Sequence, residues 1–190
     1  MAELRDNDSM SARALEFTIL TAARTGATIG ATWDEIDLQA KQWTVPGTRA
    51  GTKLKQREHR VPLSDRAVEI LRDVPRIKGE KHVFPGTKKG AGLSNMSMLE
   101  LLRGMRPGLT VHGFRSVFKD WASECTNHPN IVSEAALAHT ISDKVEAAYR
   151  RGELFEKRRR LMRDWATYCA RPPIAEKSNV TPLRRQGAVP

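Results

Sequence analysis

The chain has 190 residues, enough to bury a core in one domain without disulfide or metal staples. Lys and Arg number 32 against 22 Asp and Glu, giving a formal net charge of +10 and an isoelectric point near 10.1, so the simplest partner is a polyanion, with DNA or RNA leading. Two cysteines, Cys125 and Cys169, exclude a disulfide scaffold and suit a reducing cytoplasm; no apolar stretch approaches membrane-spanning length, and the first residues lack an apolar signal core.

Residues 1–10 are polar and read as a flexible N-terminal segment. Ala12, Leu15, Ile19 and Ala22-Ala23 line one stripe of a helix over 12–23, with Ser11 able to cap its start and Thr25-Gly26 ending it. A short second helix is expected from Ile29 to Ile36. Gln42 to Pro46 and His59 to Leu63 alternate like strands, so residues 41–63 predict a small antiparallel ribbon of two or three strands. Ser64-Asp65 caps a helix from Arg66 to Asp73, and His82-Val83-Phe84 reads as a short strand stopped by Pro85-Gly86. Ser94 opens a helix through about Met105, which Pro107-Gly108 terminates.

From Val111 onward the pattern is helical, over 112–125, 130–138 and 142–151. A strongly amphipathic helix over 153–169 follows, with Leu154, Phe155, Leu161, Met162, Trp165, Ala166 and Cys169 on one face and Arg158 interrupting that stripe. Trp33, Trp43, Trp121 and Trp165 all sit on apolar stripes and read as core. The Pro-containing tail, 171–190, is expected to be disordered. The fold class is therefore α+β, mostly helical, with a small antiparallel sheet in the N-terminal third.

His112-Gly113-Phe114-Arg115 is the most informative segment. A His and an Arg three apart share a helix face and can clamp one phosphate, although H-x-x-R alone is a weak signal whose ordinary reading is a surface pair on a helix. Arg24 closes an apolar stretch, where burial is costly unless an anion or acceptor faces it, although a helix C-terminal Arg favouring the dipole explains it equally well. Downstream stand His139, after Ala136-Leu137-Ala138, and Tyr149, within Ala147-Ala148-Tyr149-Arg150-Arg151. Cys125 and His128 have C-x-x-H spacing, but a structural zinc needs four ligands. Gly86 to Gly92 lacks the spacing of a phosphate-binding P-loop.

The order Arg24, a Lys-bearing hairpin, H-x-x-R, His139 and Tyr149 resembles the catalytic domain of the tyrosine recombinase (phage integrase) family, of the prophage and genomic-island type. The flanks carry the resemblance as well: Ala22-Ala23-Arg24-Thr25-Gly26, Trp33-Asp34-Glu35-Ile36-Asp37, Glu58-His59-Arg60-Val61-Pro62-Leu63-Ser64, Val111 to Arg115, and Asp143 to Tyr149. It covers roughly residues 5–170, with the catalytic domain itself assigned to 11–170.

The resemblance implies a DNA breaking-rejoining fold. Tyr149 would attack a DNA phosphodiester, forming a 3′-phosphotyrosine and releasing a 5′-hydroxyl. Arg24 and Arg115 would hold the non-bridging oxygens, because planar guanidinium forks match phosphate and stay charged. His112 and His139 would donate hydrogen bonds or accept the tyrosine proton. A hairpin lysine would protonate the leaving 5′-oxygen; Lys53 is preferred, with Lys55 the alternative. No metal or other cofactor is required. Double-stranded DNA is the implied partner, met by a tetramer of protomers that are monomers free in solution, in a bacterial cytoplasm. The family usually carries an acidic residue three positions after the first Arg, and Ala27 departs from that pattern. Because Met1 falls immediately before the first helix of the domain, the expected protein is the catalytic domain without N-terminal DNA-binding modules. The alternatives are a non-catalytic DNA-binding remnant of an integrase and a related enzyme such as a type IB topoisomerase.

Overall fold

The computed structural model describes residues 1–52, 54, 57–139 and 154–172. Its centre is α2 (Met10–Thr21), which packs against α1 (Ala2–Arg5), α3 (Thr25–Ile29), α4 (Asp65–Asp73), α5 (Ser97–Met105) and α8 (Phe155–Ala170). Such a helix must be apolar nearly all round. Ala14, Leu15, Phe17, Ile19 and Leu20 are accordingly buried, and the hydroxyls of Thr18 and Thr21 donate to the carbonyls of Ala14 and Phe17 at 2.7 Å each. The segment expected to be flexible holds α1, whose Leu4 is buried, and Arg5 pairs with the buried Glu16 of α2 at 2.7 Å.

The ends of α2 differ from the sequence expectation. Ser9, not Ser11, is the cap: its side-chain oxygen accepts from the Ala12 N–H at 3.2 Å. The helix stops at Thr21 because Ala22 turns left-handed, with φ 48°, and sends its N–H back to the Ile19 carbonyl at 3.1 Å. Arg24 is then extended and starts α3, so Thr25-Gly26 opens a helix rather than closing one. Gly26 is there for another reason. A Cβ at that position would sit 2.8 Å from the Ala50 carbonyl oxygen and 3.0 Å from Gly51 Cα, so glycine lets the loop after β2 lie directly on α3.

The expected helix over Ile29–Ile36 is the tail of α3 followed by a single 3₁₀ turn, Trp33–Glu35, whose capping box joins Thr32 and Glu35. The sheet runs β1 (Ile36–Asp37), β2 (Gln42–Val45), β3 (His59–Pro62), antiparallel throughout, with Trp43 opposite both Ile36 and Val61. Two strands match the predicted ribbon, while the third lies upstream of it. Ser64 caps α4 as expected, accepting from the Ala67 N–H at 3.3 Å. His82 forms one isolated bridge with Thr32 rather than a strand, and α5 begins at Ser97 rather than Ser94.

The C-terminal part comprises α6 (Gly113–Glu124), α7 (Asn130–Ala136) and α8. Leu161, Met162 and Trp165 of α8 are buried. The Trp165 indole donates to the Ile19 carbonyl at 2.8 Å, and its ring meets Phe118 and Trp121 at 5.4 and 5.1 Å between centroids. Arg158, which breaks the apolar stripe in sequence, is 2% exposed and donates through Nη1 to the Arg60 carbonyl at 2.5 Å, tying α8 to β3. Trp43, Trp121 and Trp165 are buried, whereas Trp33 is only half-buried, with the Arg76 guanidinium 4.3 Å over its ring. The expected helix over 142–151 lies outside the described residues, as does the tail beyond Pro172. Among the described residues, no helix is long and apolar enough to cross a membrane.

Candidate active site

Three helix ends meet at one cleft, whose lining includes Arg24, Ala27, Thr52, His59, Arg115 and Leu137. Arg24 stands in the extended link between α2 and α3 and donates through Nη1 to the Thr52 carbonyl at 2.8 Å. Arg115 lies in the first turn of α6 and is buried. Its Nη1 donates to the carbonyl of Ala22, at the left-handed turn ending α2, and its Nη2 to the carbonyl of Leu137, just past α7, at 2.8 Å. Carbonyls at helix C-termini lack intrahelical donors, and a planar fork can serve two at once.

The electrostatics of this pair are unusual. Burial pushes the Arg115 guanidinium down to about 10, and the charge of Arg24 beside it pushes the same way. Burial also lowers Arg24. No acidic side chain among the described residues pairs with either, and Ala27, buried in the lining, supplies only its backbone N–H to the Arg24 carbonyl at 2.9 Å. Two adjacent, partly desolvated cations with no counter-charge make a place where an oxyanion is bound favourably.

His139 follows α7 and is exposed, yet its Nε2 lies 3.5 Å from Arg115 Nη2. Its Nδ1 meets Glu134 at 2.8 Å. His112 precedes α6 directly, is exposed and stands outside the cleft lining, and its ring makes no hydrogen bond to a described residue. Of these three residues only Arg115 lines the cleft; His112 and His139 both stand outside the lining, and His139 alone reaches Arg115. Lys53, Lys55 and Tyr149 lie outside the described residues. Thr52, next to Lys53, is buried; besides accepting from Arg24, it donates through its hydroxyl to the Arg49 carbonyl at 2.7 Å. Arg49 pairs in turn with Glu35 and donates to the Gly30 carbonyl, which fastens the loop to α3 and the 3₁₀ turn. His128 faces Asp164 at 2.9 Å, and no group of three or more His, Cys, Asp or Glu among the described residues could hold a metal ion.

Sequence reasoning missed His59 and Glu134. His59, in β3, donates through Nε2 to the Ala136 carbonyl at 3.3 Å. Burial pushes it down to about 4, and the charges of Arg158, Arg115 and Arg24 add to that, so it is neutral at physiological pH. Its sequence signals were its place at the start of the β3 alternation and within the Glu58 to Ser64 flank, neither of which marks it as a site residue. Glu134 carried no signal beyond its spacing of five from His139.

The buried Arg115 and the half-buried Arg24, set at helix ends with His139 beside Arg115, form a cationic cleft suited to an oxyanion. The chain belongs to the phage integrase family, whose sequence profile matches residues 1–153. It is 36% identical over 163 residues to prophage integrase IntA of Escherichia coli K12, covering 83% of this chain and 38% of that protein. It is 30% identical over 176 residues to the integrase of Enterobacteria phage P4, covering 84% of this chain and 40% of that one. The chain thus spans about two fifths of the length of these relatives. The fold is similar to that of the integrase from mycobacterium phage Brujita, with a TM-score of 0.64 at 18% identity, over 88% of this chain and 54% of that one.

Proposed function

We propose that the protein is the catalytic part of a tyrosine-type site-specific DNA recombinase, with Tyr149 as nucleophile. The tyrosine oxygen bonds to phosphorus while the bond to the 5′-oxygen breaks. Lys53 protonates that leaving oxygen, and His139 or His112 takes the tyrosine proton. Arg24 and Arg115 hold the non-bridging oxygens as charge grows on them. The phosphotyrosine keeps the bond energy, so a second 5′-hydroxyl reverses the step and rejoins the strand without ATP. The partner is double-stranded DNA, engaged in the cytoplasm by a tetramer of protomers that are monomers in its absence.

The observation that carries this reading is the pairing of the half-buried Arg24 with the buried Arg115, with no carboxylate partner among the described residues. The experiment is cleavage of a nicked suicide duplex bearing an integrase attachment site. Replacing either arginine with Met should slow cleavage about 100- to 1000-fold, the usual cost of one oxyanion donor. Unchanged cleavage in both variants would refute the assignment.

A further inference from the structure

We propose that Glu35, which stands outside the cleft lining, is a positioning residue for Arg24, acting through Arg49 and Thr52. The catalytic consequence rests on the recombinase reading, while the hold on the Arg24 guanidinium can be measured without DNA.

Hydrogen bonds run in series from one residue to the other. Arg49 Nη2 donates to Glu35 Oε1. The Arg49 carbonyl accepts from the Thr52 hydroxyl at 2.7 Å. The Thr52 carbonyl accepts from Arg24 Nη1 at 2.8 Å. That last bond is the only one the Arg24 side chain makes to a described residue. Its other N–H donors are left for an anion, and the direction in which they point depends on where the Thr52 carbonyl stands.

The sheet does not fix that carbonyl. The β2–β3 ladder ends with Val45 opposite His59, so residues 49–52 lie beyond its last pair. Contact with α3 and the 3₁₀ turn fixes them instead. Gly51 is left-handed, with φ 73°, and a Cβ there would meet Gly26 Cα at 3.3 Å. Arg49 completes the hold by donating to the Gly30 carbonyl as well as to Glu35. A Cβ on Gly30 would sit 2.6 Å from Arg49 Nη1, so that glycine makes room for the guanidinium.

Glu35 is itself fixed. Its side chain is 10% exposed, where an unpaired carboxylate is costly. Oε2 accepts from the indole N–H of the buried Trp43 at 3.0 Å and from the Thr32 N–H at 3.4 Å. One carboxylate oxygen is thus tied to the core of the sheet, and the other receives Arg49. Charge-assisted bonds of this kind are stronger than neutral ones, and a satisfied buried network rigidifies what it joins.

Misplacing a reacting or stabilising group by about 1 Å can cost on the order of 100-fold in rate. Loosening the loop at Glu35 or Thr52 therefore weakens the hold of Arg24 on a phosphate oxygen without removing a cation from the cleft.

The test uses the whole chain with ¹⁵N-labelled arginine, the signals of Arg24 being identified by their loss in Arg24→Lys. Rotation of its terminal Nη groups is read from exchange between their signals. It should be slow in the parent and in Thr52→Ser, which keeps the hydroxyl. In Thr52→Val and in Glu35→Leu it should be about 5-fold faster, the scale of one lost hydrogen bond. On a nicked suicide duplex both of these variants should cleave about 10- to 100-fold more slowly with DNA affinity unchanged, and Thr52→Ser should recover most of the rate. Added to Arg24→Met, neither change should slow cleavage further, because a residue that acts only through Arg24 then has nothing to act on. Rotation no faster than the parent's in Thr52→Val or Glu35→Leu, or a full further loss of cleavage on top of Arg24→Met, overturns the proposal. If Glu35→Leu fails to fold, Arg49→Met takes its place with the same expectations, since it removes the bond to Glu35 and keeps the carbonyl that Thr52 uses. Rotation as stated with no cleavage by the parent supports the positioning and counts against the recombinase reading instead.

Discussion

Arg115 donates to the carbonyl of Leu137 at 2.8 Å, and through its other terminal nitrogen to the carbonyl of Ala22, so one guanidinium joins the ends of α7 and α2 to the start of α6. The proposed phosphate ligand is also a structural tie, and its two roles should separate by mutation.

Arg115→Met removes the donors and leaves two buried carbonyls unpaired, each at a cost of about 1–3 kcal/mol, partly offset by relief of a buried charge. We expect a net loss of about 1–3 kcal/mol in urea unfolding. Arg24→Met loses a single bond to Thr52 from a half-buried position and should cost about 1 kcal/mol or less. Equal stability of Arg115→Met and the parent would show that the tie is not used.

His59 makes stability depend on pH. Its folded value is depressed to about 4 from the ordinary 6.5, so between these values the unfolded chain binds the proton more readily. Its contribution is complete above about pH 6.5 and is lost as pH falls toward 4, with a slope of up to about 1.4 kcal/mol per unit. His59→Gln keeps a donor for the Ala136 carbonyl and removes the titration. Thermal melts from pH 7.5 to 4.5 should show the parent losing stability faster than the variant; parallel curves would contradict this.

Lys157 and Arg160 are exposed on α8 of a chain carrying a net charge of +10. We expect DNA binding that weakens steeply with salt and discriminates poorly among sequences. Replacing either with Gln should flatten the log–log salt slope by roughly 0.9 for each phosphate that is no longer neutralised. Affinity unchanged between low and physiological ionic strength would contradict an electrostatic interface.

Much of the fold was legible because the relevant signals are local. The Ser64 cap, the alternation around Trp43 and Val61, and the apolar stripe of α8 each depend on residues within one element. The errors arose where a distant partner decides. Gly26 looks like a helix stop, but it is small because the Ala50–Gly51 loop lies on it. Ala22, with no local reason to turn left-handed, does so where its carbonyl receives Arg115 from 93 residues away. Arg158 looked like an interruption of an apolar face, and it is buried with its guanidinium donating to the Arg60 carbonyl on β3. The site was legible as a set of residue types in order. Its supporting interactions, His59 on Ala136 and Glu134 on His139, were not, since neither has a motif of its own.

Tyr168 provides a control for the nucleophile. Its ring stacks 5.6 Å from Trp165 and lies 5.6 Å from Trp121, and its hydroxyl has no hydrogen-bond partner among the described residues. Tyr168→Phe keeps both ring interactions and should change unfolding free energy by less than about 0.5 kcal/mol, the range of neutral surface changes. A larger loss would mean that the hydroxyl is bonded in solution.

The central claim is that Tyr149 attacks DNA. The most direct measurement is a denaturing gel of the protein incubated with a radiolabelled, nicked duplex carrying an integrase attachment site. The account predicts a slow-migrating covalent adduct with the parent and with Tyr168→Phe, and none with Tyr149→Phe, which removes a single oxygen. An adduct that survives in Tyr149→Phe, or one that disappears in Tyr168→Phe, would contradict it.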